Sequence, residues 1–140
     1  MIVRYALVQY RHTNDERLNL GVIVHDPVKN TALLISDVPQ ALERAAALWP
    51  DFPANQDRVW SLTMTSLPRE ATEHADEGGL EWVRDHHTLG IRLSGVRVAQ
   101  GESLSSIANS IARGVLLPPE GQSRRWARYS AEFKRVASNE

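Results

Sequence analysis

The segment IVRYALVQYR (2–11) places apolar groups on both of its alternating faces, with Ile2, Ala6, Val8 and Tyr10 on one and Val3, Tyr5 and Leu7 on the other. A strand with one wet face alternates apolar and polar residues. A strand that is apolar on both faces has to be covered above and below. This chain therefore needs more strands beside the first and cover on both sides of it.

The following residues supply candidates for both. Residues 19–25 read as a second strand and TALLIS (31–36) as a third. Between them DPVKN (26–30) is a hairpin loop, because Pro27 fixes φ and Asn30 tolerates left-handed backbone. Val38, Leu42, Ala45, Ala46 and Trp49 recur at helical spacing, which predicts a helix over 38–49 that Pro50 and Pro53 stop. A second helix is expected from about 55 to 66, with Val59, Leu62 and Thr63 inward and Pro68 opening another short one. DEGG (76–79) breaks the chain before a further helical turn at 80–86.

LGIRLSGVRVA (89–99) reads as a strand whose period changes phase. Leu89, Ile91 and Leu93 alternate, then Val96 and Val98 alternate in the opposite phase. A one-residue bulge at Gly95 returns them to a common face. Ser103 caps an expected helix over 104–116, striped by Leu104, Ile107, Ala108, Ile111 and Val115 and ended by Pro118 and Pro119. The order β-β-β-α-α-(α)-β-α predicts an α+β fold, with an antiparallel or mixed sheet of about four strands and helices packed on it. Residues 1–119 would form one domain and residues 120–140 a basic, amphipathic C-terminal helix.

YALVQYRHTNDERLNLGVIVHDP (5–27) resembles the opening of the bacterial family called domain of unknown function 3037. That pattern is a tyrosine-led strand, a short polar loop, then Glu-x-x-Asn-x-Gly-Val and a strand closing in Asp-Pro. Glu16, Asn19, Gly21, Val22, Asp26 and Pro27 carry the match. GIRLSGVRV (90–98) resembles the family's second recognisable strand through Arg92. Arg17 departs from the pattern, standing where an aromatic or aliphatic residue is usual, and the tail after Pro119 lies outside it. The resemblance implies a small bacterial or phage-borne, defence-associated protein with no assigned catalytic activity. It also implies a HipA-like kinase as a partner.

Composition narrows the chemistry. There are no cysteines, which removes disulfides, thiolate catalysis and sulfur-ligated zinc and fits a cytoplasmic protein. A net charge of -1 argues against general affinity for polyanions. No apolar run reaches the ~18 residues of a membrane helix, and the N-terminus shows no signal-peptide cleavage site. Metal-binding His-Glu-x-x-His, the Gly-x-Ser-x-Gly elbow and phosphate-binding glycine motifs are absent from the sequence, so no metal or cofactor is expected.

Two polar segments remain. Glu16 and Asn19 are the weak catalytic candidates. Glu16 would serve as base or metal ligand with Asp15, His12 or Asp26, and Asn19 would orient a substrate. Against this stands a purely structural role, in which both side chains satisfy loop groups and Gly21 admits another backbone. His12, His25, His74, His86 and His87 are expected at or near the surface. In the tail, Trp126, Tyr129, Phe133 and Val136 form a helical stripe opposite Arg124, Arg128 and Arg135. That stripe would pack on its own domain, or dock on another protein or a second copy of the chain. Arg124, Arg125 and Arg128 are the candidate nucleic-acid contacts. The leading expectation is a non-enzymatic protein-binding or regulatory module that docks through the C-terminal helix. The alternatives are a metal-dependent phosphodiesterase or nuclease using Glu16 and Asn19, and a nucleic-acid binder using the basic tail.

Overall fold

β1 (Ile2–Arg11) is paired along both edges and covered on both faces. The computed structural model describes residues 1–116 and 126–132, with Asn14 described by its backbone alone. The elements in chain order are β1, β2 (Arg17–Asp26), β3 (Thr31–Ser36), α1 (Val38–Leu48), α2 (Asp57–Glu73), α3 (Leu80–His86), β4 (Ile91–Leu93), β5 (Arg97–Gln100), α4 (Leu104–Val115) and β6 (Ala127–Glu132). The sheet runs β4-β1-β2-β3-β6, with β5 also on β1, and every pairing is antiparallel. The fold is α+β as expected, but the sheet has six strands rather than about four.

Both extra strands come from segments whose sequence suggests another reading. β4 and β5 both lie along the outer edge of β1, and the phase change at Gly95 separates them. Leu93 faces Val8, whereas Arg97 faces Tyr5, so the pairing slips by one residue between them. At the slip the Ser94 side chain stands in for backbone. Leu7 N–H donates to Ser94 Oγ at 2.8 Å, and Ser94 N–H donates to the Leu7 carbonyl at 2.9 Å. This is the expected bulge. The other extra strand is β6. The helix expected over 120–140 is not what residues 127–132 form, because they pair antiparallel with β3 from Thr31↔Glu132 to Ser36↔Ala127. The free edge of β3 offers a row of backbone partners, which an isolated six-residue helical stripe does not match. Residues 120–125 and 133–140, including Arg124, Arg125, Phe133 and Val136, lie outside the described residues.

α1, α2 and α3 cover one face over Ala6, Val8, Leu20, Ile23 and Leu34, and α4 covers the other over Val3, Val22, Val24 and Ile35. Helix α2 runs through Pro68 instead of restarting there. Its buried stripe is Trp60, Met64, Leu67 and Ala71, while Val59 and Leu62 are exposed. Those four side chains, each buried at ~1.5–3 kcal/mol for the large ones, outweigh the ~3 kcal/mol cost of an interior proline. Among the described residues no helix is long and apolar enough to cross a membrane.

At Gly21 the backbone of β3 comes close, and an added Cβ would lie 2.6 Å from the Ile35 carbonyl oxygen. Gly114 in α4 has nothing within 4 Å of that position. Gly21→Ala is expected to lower stability by about 1–3 kcal/mol through overpacking, and Gly114→Ala to raise it by about 0.5–1 kcal/mol. Urea unfolding of both variants checks the opposite signs.

Candidate anion-binding groove

Register determines which polar side chains meet on the α4 face. Arg11 pairs with Arg17, Gln9 with Arg92, and Tyr5 with Arg97. All six share the face of Leu7 and Val22, since paired residues project to the same side of a sheet. Helix α4 lies over β2 and β3, and among the described residues this corner of the sheet is left open. Between the corner and the last turns of α4 is a groove of about 460 Å³. Arg11, Arg17 and Arg97 line it with Gln9 and Ser94, and half-buried Tyr5 and Leu7 form its floor. A second groove of about 300 Å³ shares Arg17 and Val115 with the first and adds Arg44. Arg92, beside Gln9, has its Nε buried with no hydrogen-bond partner among the described residues.

One acid contacts these arginines among the described residues. Asp15 sits in the tight β1–β2 turn at φ 66° and meets Arg11 at 3.2 Å and Arg17 at 3.5 Å. The side chains of Asp15 and Arg17 are 62% and 47% exposed, so solvent screens that pair. The turn thus holds two guanidinium groups at the groove mouth without neutralising both. The wider charge distribution agrees. Residues 38–86, which build α1 to α3, carry nine acids against four arginines, whereas residues 88–116 carry Glu102 alone against Arg92, Arg97 and Arg113. Among the described residues the net charge therefore conceals an acidic helical side and a basic one.

The residues singled out from sequence fall in different places. Glu16 Oε2 accepts the indole N–H of Trp49 at 3.1 Å, and the Glu16 carbonyl accepts the His12 N–H at 2.8 Å. Asn19 accepts from the Gln9 amide at 2.9 Å and donates to the Val115 carbonyl at 3.4 Å, tying β2 to the C-terminal end of α4. Asp26 lies at the far end of β2, where it accepts from Val28 N–H at 2.9 Å. The carboxylates of the metal-site alternative are therefore spread apart, and among the described residues no three acidic, histidine or cysteine side chains converge on one point. Trp126 packs beside the α4-face core and Tyr129 beside the opposite one. Arg128 lies on the α4 face and donates to Ser105 Oγ at 2.9 Å and Asn109 Oδ1 at 2.8 Å. Docking through a helix loses its basis where 127–132 is a strand. Sequence reasoning missed the groove arginines because positions 11, 17 and 97 meet only through strand register. It also missed His25, which is 2% exposed and donates from Nε2 to Asn30 Oδ1 at 2.8 Å.

At the end of β1 opposite this groove's face, His12 lies flat on Trp49 with ring centroids 4.6 Å apart. Asp51 accepts from His12 Nε2 at 2.8 Å, which leaves Nδ1 to accept from the Tyr10 hydroxyl at 3.0 Å. The hydrogen bond from His12 holds the Asp51 carboxyl below its usual range. Burial, then the charge of Asp51, raises the Tyr10 phenol above its usual value. No protein-family model, curated protein or solved structure matches the chain.

The Asp51 shift sets a pH dependence. A carboxyl depressed in the folded state stabilises the fold above its unfolded pKa and loses that effect as pH falls through the folded one. The stability difference between the wild type and Asp51→Asn is therefore expected to shrink in strong acid. Thermal unfolding across the acid range tests this, and a constant difference counts against the His12–Asp51 bond.

Proposed function

We propose that this protein binds single-stranded nucleic acid along the α4-face groove. The observation that carries the reading is the gathering of Arg11, Arg17 and Arg97 by strand register around one groove, with Arg92 on the same face beside Gln9 and Asp15 as the acid among them. Guanidinium groups present paired donors that fit phosphate oxygens, and a phosphodiester backbone supplies phosphates in series. The second groove continues the basic track through Arg17 to Arg44, which suits a strand longer than one nucleotide. Tyr5 on the groove floor offers an aromatic surface, and stacking on such surfaces tolerates any base. The groove lies between a helix and a sheet corner, a setting for an unpaired strand with exposed bases.

Binding of a labelled single-stranded oligonucleotide of about twelve nucleotides, followed by fluorescence anisotropy at several salt concentrations, tests the reading. Arg17→Gln and Arg97→Gln are each expected to weaken binding on the order of tenfold, the ~1.5 kcal/mol of a charge-assisted hydrogen bond. Each is expected to reduce the slope of log affinity against log salt by about 0.7. Arg58→Gln on exposed α2 serves as the control and is expected to leave both unchanged. Absence of binding at low salt, or equal effects of all three substitutions, rules the reading out.

A further inference from the structure

We infer that β6 pairs with β6 of a second copy of this chain, joining two six-stranded sheets into one. Among the described residues β6 is bonded on one side alone, to β3, and ends the sheet. Its side chains alternate between exposed and half-buried, and ARYSAE contains neither the proline nor the lysine that commonly blunts an edge. The opposite edge differs, since the bulge at Ser94–Val96 splits it into two short strands.

The sequence of β6 matches itself in reverse. Antiparallel pairing centred on Ser130 sets Arg128 opposite Glu132 twice, Tyr129 opposite Ala131 twice, and Ser130 opposite Ser130. The register on β3 places Arg128, Ser130 and Glu132 on the α4 face and Tyr129 and Ala131 on the other. Both opposite-charge pairs therefore form on one face, and both tyrosines cover small residues on the other. Glu132 makes no ion pair among the described residues, and Arg128 keeps free N–H groups beyond those given to Ser105 and Asn109. Such an interface is isologous, the commonest arrangement for two identical chains. Its twofold axis stands perpendicular to the sheet, so both α4 helices and both arginine grooves face the same way. β1 and its counterpart would lie roughly 34 Å apart, seven strand spacings of ~4.8 Å.

Sedimentation equilibrium of the full chain is expected to give twice the 15.7 kDa chain mass. Arg128→Glu and Glu132→Arg each set like charges opposite one another and are expected to weaken the dimer about tenfold, while the double exchange restores it. Ser130→Cys provides a second readout. The chain has no other cysteine, so mild oxidation is expected to link two copies faster than in Val28→Cys, whose site is 89% exposed on the β2–β3 turn and off the twofold axis. If Arg128→Glu does not fold, Glu132→Arg and the cysteine pair carry the test. A single-chain mass at every concentration overturns the inference. So does a dimer that neither charge reversal weakens, or equal rates of linkage for the two cysteine variants.

Discussion

β1 forms hydrogen bonds along both edges and buries side chains on both faces, and the rest of the molecule is arranged around that demand. β2 takes one edge, and β4 and β5 share the other. Val8 and Ala6 reach toward α1–α3, while Val3 reaches toward α4. Because one strand supplies both cores, a residue inserted into it would invert both at once. The two register slips fall on its neighbours instead. One lies in β2 around Leu20, between the pairs Val8↔Gly21 and Gln9↔Asn19, and the other lies between β4 and β5. β1 itself stays regular.

The same arrangement governs where charge collects. On the α1–α3 side the helices bring their acids with them. On the α4 side, among the described residues, a single helix leaves part of the sheet uncovered, and the exposed corner belongs to the ends of β1 and β2 and the bulged edge. These positions hold Arg11, Arg17 and Arg97, with half-buried Arg92 beside them. The bulge contributes to the site as well as to the edge. By shifting phase it turns Val96 toward the apolar core and leaves Arg97 on the groove side with Tyr5.

Legibility of this fold in the sequence followed the range of the forces involved. Residues 2–11 and 31–36 were readable to the residue because local alternation and burial agree. The phase change in 89–99 was readable because a bulge leaves its mark within one strand. Helix α2 was misjudged at Pro68, since a local stop signal was outweighed by Met64, Leu67 and Ala71 packing on strands remote in the chain. The tail was misjudged for a related reason. Trp126 and Tyr129 suit a helical stripe, but β3 presents an edge that the sequence of the tail does not reveal. Of the polar candidates, Gly21 showed the close backbone approach expected for it, and Glu16 and Asn19 were found holding an indole and a helix end. The arginine groove was invisible beforehand, because residues some 80 positions apart become neighbours only after the strands are registered.

The segregation of acids and arginines onto opposite faces has an electrical consequence that net charge conceals. Among the described residues, charge separated in this way amounts to a dipole directed through the sheet, although the net charge is only -1. In the field of a charged surface such a molecule experiences torque before it experiences much attraction. Its isoelectric point describes how it migrates, and its dipole describes which side arrives first.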